Sequence, residues 1–115
     1  MTQHSKEKME KAIQNAHDCY KICLETLKHC LEKGGEHAEH THIESLSDCA
    51  EMCLVSEHFM IEQSKFHPQL CEICADACKE CAESCEKFSD DAQMQECAEA
   101  CVACEKTCRE MSADQ

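Results

Sequence analysis

Between residues 71 and 85 the chain places Cys71, Cys74, Cys78, Cys81 and Cys85 in steps of three, four, three and four. At 100° per residue these five fall within an arc of about 80° on a helix. Glu72, Asp76, Glu80, Glu83 and Glu86 take the outer face. Cys97, Cys101, Cys104 and Cys108 repeat the pattern, with Glu96, Glu99, Glu105 and Arg109 outside. The stripe continues more thinly in two earlier segments. It runs through Ala12, Ala16, Cys19, Cys23, Thr26 or Leu27, and Cys30, then through Leu46, Cys49, Cys53, Ser56, Met60, and Ser64 or Gln63. No segment shows the period-two alternation of a strand.

Glycine and proline are scarce, and they punctuate these segments. Gly34-Gly35 stops a first helix running from about Ser5 to Lys33. Thr41 followed by Glu44 reads as a capping box for a second, about His42 to Lys65. Pro68 suits the first turn of a third, about Pro68 to Lys87. Asp90 followed by Gln93 suits the cap of a fourth, about Asp91 to Met111. The expectation is an all-α, antiparallel up-down-up-down four-helix bundle with a cysteine-lined core, one domain over residues 1–115.

Antiparallel alignment then predicts layers. Cys30, Cys49, Cys85 and Cys97 form one, and Thr26 or Leu27, Cys53, Cys81 and Cys101 the next. Below them come Cys23, Ser56, Cys78 and Cys104, then Cys19, Met60, Cys74 and Cys108. Ala16, Ser64, Cys71 and Met111 close the column, with Met9 and His67 beyond. Ile13, Tyr20, Leu24, Leu27, Leu31, Ile43, Ala50, Leu54, Ile61, Leu70, Ile73 and Ala77 are expected to seal helix against helix, with Leu24 and Ile61 as candidates to face a partner subunit.

Composition sharpens the question. Cysteine is 14 of 115 residues, while Trp is absent, Tyr occurs once and Phe three times. Thiols must therefore fill much of the interior as small hydrophobes. The N-terminus, Met1-Thr2-Gln3-His4-Ser5-Lys6-Glu7, has no apolar signal region, and no apolar run reaches spanning length, so a cytoplasmic chain with reduced thiols is expected. The net charge of −13 argues against nucleic acid and anionic membrane surfaces as partners.

A sulfur column can be oxidised or can hold metal. Cysteines four apart on one helix point the same way and suit disulfide geometry poorly. Zinc prefers discrete tetrahedra built on turns, and the ferredoxin motif with its trailing proline is missing. Cu(I) is soft, takes two or three thiolates and tolerates bridging sulfurs. The pairs Cys19–Cys23, Cys49–Cys53, Cys74–Cys78, Cys81–Cys85, Cys97–Cys101 and Cys104–Cys108 each present two sulfurs one turn apart. Bridging permits roughly one copper per thiol, about ten to fifteen ions in all.

The runs Cys71-Glu72-Ile73-Cys74-Ala75-Asp76-Ala77-Cys78-Lys79-Glu80-Cys81-Ala82-Glu83-Ser84-Cys85 and Cys97-Ala98-Glu99-Ala100-Cys101-Val102-Ala103-Cys104-Glu105-Lys106-Thr107-Cys108 resemble the bacterial copper storage proteins, particularly their cytosolic branch. The resemblance covers most of the chain. It implies a four-helix bundle whose lumen holds many Cu(I) ions on cysteine, a homotetramer, and methionine and histidine at one mouth. The chain departs from the cytosolic pattern in having fewer cysteines in its first two helices, with Met60 in a slot expected for sulfur ligation.

The expected metal ligands are therefore all 14 cysteines, with Met60, Met111 and His67 at the mouth. His37, His40 and His42 read as a solvated polar loop, a weak surface site for Cu(II), Ni or Zn, or a second entrance. The isolated His4, His17, His29 and His58 read as surface residues. Carboxylates lie on outer faces and no nucleophile–base set is legible, so a catalyst is not expected. The leading function is storage of multiple Cu(I) ions for sequestration, detoxification or supply, with a copper chaperone or chelator as exchange partner. The alternatives are a general thiolate buffer for Zn(II) or Cd(II), and a thiol-redox enzyme or sensor.

Overall fold

The computed structural model describes residues 3–113, with side chains from Lys6 onward, so His4 lies outside the described side chains. Helices α1 (Gln3–Lys33), α2 (His40–Ile61), α3 (His67–Glu86) and α4 (Ala92–Ala113) pack each against its two chain or ring neighbours, α1 closing on α4. This is the expected four-helix bundle, a rod of 48 × 20 × 18 Å. Among the described residues, no helix is long and apolar enough to cross a membrane.

The caps differ in detail from the sequence reading. α2 begins at His40, and its cap is Glu39, whose carboxylate accepts from the Thr41 and His42 backbone N–H groups. Thr41 is already helical and donates its hydroxyl to Glu39, so the expected Thr41–Glu44 box does not form. α4 is capped by Asp91 rather than Asp90, because Asp91 Oδ1 is the oxygen that reaches the N–H groups of Gln93 and Met94. α2 stops at Ile61, not Lys65. There Gln63 takes φ 55°, and the Ser64 and Gln63 N–H groups close back on the Phe59 and Met60 carbonyls. That is the Schellman arrangement, which satisfies the last carbonyls and turns the chain out of the helix.

Gly34 (φ 71°) and Gly35 (φ 55°) turn the chain out of α1 into a short 3-10 turn, Gly35–Ala38. This turn lies between α1 and α2 at the end of the bundle where α3 also hands over to α4. The outer seal is thinner than expected. Ile13, Tyr20, Leu27 and Ile43 pack against the core, whereas Leu24, Leu31, Leu54, Ile61 and Ile73 are exposed, Ile61 at 60%.

Candidate metal centre

Every cysteine is fully buried and every one is a free thiol. With Leu46, Met9, Met60, Met94, Met111 and small alanines from all four helices they constitute the core itself. Burial follows from the three-four period, since each helix turns its small, weakly polar face inward and its carboxylates outward. Thr26, not Leu27, is the member of the α1 stripe at that level, and its hydroxyl accepts a hydrogen bond from Gln93 at 2.8 Å.

Adjacent sulfurs lie 3.7–4.0 Å apart along the axis. Cys23 reaches Cys97 (3.9 Å) and Cys101 (4.0 Å), and Cys19 reaches Cys101 (3.7 Å), Cys49 (3.8 Å) and Cys23 (3.9 Å). Cys49 reaches Cys78 (3.7 Å), Cys53 reaches Cys74 and Cys104 (both 3.8 Å), and Cys104 reaches Cys108 (3.9 Å). These are thiol contact distances, well beyond a disulfide bond. They also match the sulfur–sulfur edge of a metal site. With metal–sulfur bonds of about 2.3 Å, tetrahedral and trigonal geometries separate two sulfurs by about 3.8 and 4.0 Å. Metal can therefore replace S–H protons without the helices moving apart.

The grouping carries the chemical information. Among the described residues, Cys23, Cys81, Cys97 and Cys101 converge, as do Cys19, Cys23, Cys49 and Cys101, then Cys19, Cys53, Cys78 and Cys104, then Cys74, Cys104 and Cys108. Each set hands at least one sulfur to the next: Cys23 and Cys101, then Cys19, then Cys104. Separate tetrahedral sites would need disjoint sets. A chain of shared thiolates suits ions bridged by common sulfurs.

The α3–α4 half of the predicted layering is observed, with Cys81 grouped with Cys101, Cys78 with Cys104 and Cys74 with Cys108. The α1 and α2 levels are corrected. Cys30 meets His42 and Met94 rather than Cys49 and Cys97, Cys49 meets Cys19 and Cys78, and Cys53 meets Cys74 and Cys104. Relative to α4, α1 and α2 have each slid by about one turn, in opposite senses. The reason is the short connection: residues equally far from a hairpin share a level, and Cys30 and His42 sit three and two residues from their helix ends.

Met94 is a functional candidate that the sequence reading missed, and His42, read there as part of the surface loop, belongs to the column instead. His42 Nε2 lies 3.3 Å and Met94 Sδ 3.5 Å from Cys30 Sγ, and both residues are buried. His42 Nδ1 pairs with Ser84 Oγ at 2.6 Å, which orients the ring. The available signal was the stripe's own period. His42 lies four before Leu46, and Met94 lies three before Cys97. Burial, with the charges of Asp91, Cys97 and Cys81 around it, pushes the Cys30 thiol up to about 11. Burial also lowers the His42 imidazole, aided by the nearby His37, so its ring is held neutral and able to ligate. Deeper in, the Cys85 thiol is raised by hydrogen bonding with Cys81 and Cys97 and by burial.

At the opposite end Met60, Met111 and Met9 are buried. His67 is half-buried at the start of α3, its Nδ1 donating to the Ser64 carbonyl at 2.9 Å. The His37/His40/His42 loop does not stay together as a solvated cluster. His42 turns into the column, and His40 is exposed beside Glu44 at 3.3 Å. His37 joins His29 at Asp91 Oδ2, at 3.0 and 2.8 Å, so His29 is not a simple surface residue either.

A four-helix bundle with a continuous, reduced, cysteine-lined axis defines a class of soft-metal-binding proteins. Residues 5–113 match the family model described as copper storage protein, and the chain belongs to that family. It is 33% identical to the Cu(I)-bound copper storage protein BsCsp3, covering 91% of this chain and 98% of that one with a TM-score of 0.85. The Nmul_A1745 protein from Nitrosospira multiformis is similar at 38% identity, with 96% and 99% of the two chains covered and a TM-score of 0.89. The uncharacterized cysteine-rich protein YhjQ of Bacillus subtilis is 34% identical over 69 residues. That match takes in 60% of this chain and 64% of the length of YhjQ.

Proposed function

We propose that this chain stores multiple Cu(I) ions on the thiolates of its axial column, keeping them from redox cycling until they are sequestered or supplied. The observation that carries this reading is the sharing of Cys23, Cys101, Cys19 and Cys104 between successive thiol groups. It favours bridged, low-coordinate monovalent ions over separate zinc tetrahedra. Charge supports it too. Each Cu⁺ replaces one thiol proton, whereas divalent ions at the same density leave uncompensated buried charge.

All 14 cysteines serve as ligands in this reading. Cys30, His42 and Met94 make a mixed S,N,S site at one end of the column, and Met60 and Met111, with His67 outside them, guide ions at the other. The protein acts in the cytoplasm as a homotetramer and carries no catalytic activity. Exposed Leu24 and Ile61 are the apolar positions that suit contact between subunits.

Anaerobic titration of the reduced protein with Cu(I) against a competing chelator tests the proposal. Retention of ten or more ions per chain is expected. Saturation at three or four would point instead to tetrahedral Zn(II)- or Cd(II)-type sites, and turnover of a disulfide substrate to a thiol-redox enzyme.

A further inference from the structure

His29 on α1, His37 in the 3-10 turn and Asp91 at the cap of α4 bring three ligand atoms together outside the thiol column. Asp91 Oδ2 lies 2.8 Å from His29 Nε2 and 3.0 Å from His37 Nε2, and all three atoms fall within 4.8 Å of one another. We propose that these residues form a binding site for one divalent, borderline cation such as Zn(II), and that the ion staples the 3-10 turn to both α1 and α4.

The donor set is the first argument. Two neutral imidazoles and one carboxylate suit Zn(II) and its neighbours, whereas the all-sulfur column suits monovalent soft ions. The two sites therefore sort ions by chemistry rather than compete for them. A tetrahedral ion with bonds of about 2.0–2.1 Å separates its ligands by about 3.3 Å. The two spacings to Asp91 Oδ2 fall short of that by a few tenths of an ångström, a change within reach of side-chain adjustment.

Preorganisation is the second. Asp91 Oδ1 is fixed by the Gln93 and Met94 N–H groups, which leaves Oδ2 aimed at the two rings. His37 is packed against Phe88, ring centroids 4.2 Å apart, and lies near edge-on to His29, 77° between the planes. The three side chains are 11–30% exposed, so an ion would be partly desolvated yet reachable from solvent. A shallow pocket of about 270 Å³ opens onto His37 and Asp91 and provides the approach. Lys33 and Lys87 line the same pocket and oppose a cation, against Asp90, Asp91 and a chain of net charge −13.

The third argument is position. The ion would tie together three segments, His29, His37 and Asp91, that no single stretch of backbone connects. They surround the end of the bundle where His42, also packed against Phe88, faces Cys30. Each ring now points Nε2 at Asp91 Oδ2, and a neutral ring that gives Nε2 to the metal carries its single proton on Nδ1, so the metal replaces the two hydrogen bonds.

The test uses the full chain, first saturated with Cu(I) anaerobically so that its thiolates are engaged, then titrated with Zn(II). One further equivalent per chain is expected, with the His29 and His37 ring-nitrogen NMR signals shifting together and thermal stability rising. His29→Gln and His37→Gln should each weaken that uptake at least tenfold, while His40→Gln, at the start of α2, leaves it unchanged. Circular dichroism of each variant confirms that the bundle is intact. The same histidine signals are followed during Zn(II) titration of the metal-free protein, so the result stands whether or not the column takes copper. Absence of any histidine shift, or uptake unaltered in both Gln variants, would overturn the proposal and leave the trio as a hydrogen-bonded clasp.

Discussion

Cys19 on α1 lies 3.7 Å, sulfur to sulfur, from Cys101 on α4. Both thiols also belong to a neighbouring group, Cys19 with Cys53, Cys78 and Cys104, and Cys101 with Cys23, Cys81 and Cys97. Loss of a shared ligand should therefore open two groups at once. Cys19→Ala is expected to lower Cu(I) capacity by about two or three ions, against about one for Cys71→Ala at the column's end. Chelator-competition titrations of the two variants read the difference. Equal losses would mean that the ions do not share Cys19.

The metal-free column should be sensitive to alkali. Cys30 is raised from the ordinary thiol value of 9.0 to about 11, chiefly by burial. A group raised on folding contributes stability that is complete below its unfolded value and disappears as pH climbs through the folded one. Urea midpoints of the apo protein should thus hold up to about pH 9 and decline towards pH 11. Copper-loaded protein, its thiolates already deprotonated and bound, should show no such decline.

Asp91 sets an acid limit of opposite sign. Burial pushes its carboxyl up, but hydrogen bonds from His29, His37 and the Met94 N–H outweigh it and hold it at about 2, below the ordinary 3.8. That stabilisation is present above 3.8 and is lost as pH falls through 2. Asp91→Asn keeps a capping oxygen and should flatten the acid dependence. Asp91→Ala should cost about 1 kcal/mol more at neutral pH by removing the cap. Acid and urea melts of the three apo proteins distinguish these effects.

His42→Ala should unmake the mixed-donor end without harming the column's middle. Cys30 would keep Met94 as a neighbour but lose its imidazole. The expected change is loss of about one Cu(I), with the rest of the isotherm superimposable on wild type. A collapse of total capacity would mean that His42 holds the bundle rather than an ion.

Replacing Met60 and Met111 by leucine preserves volume and removes two buried thioethers. Stopped-flow uptake should slow severalfold while final capacity stays nearly intact. Unchanged kinetics would remove these residues from the path of the ion.

Local pattern was enough for several features. The three-four spacing at Cys71–Cys85 made α3 a helix with one sulfur face, Gly34-Gly35 ended α1, and Pro68 fell in the first turn of α3. The pairing of Cys81 with Cys101 and of Cys74 with Cys108 was legible as well, because a short connection aligns α3 and α4 directly. The third and fourth helices carry nine of the fourteen cysteines, so most of the candidate site was readable before any fold was known.

What the chain order alone determined was which face of each helix turns inward. Periodicity specifies rotation about a helix axis but not translation along it, since sliding by one turn, about 5.4 Å, still sets stripe against stripe. Only the packed structure decided that translation, through the 3-10 turn at Gly35–Ala38 and the left-handed stop at Gln63. That slide brought His42 to Cys30 in place of Cys49. It also gathered His29, His37 and Asp91, residues from three separate segments with no spacing in common, at one end of the bundle.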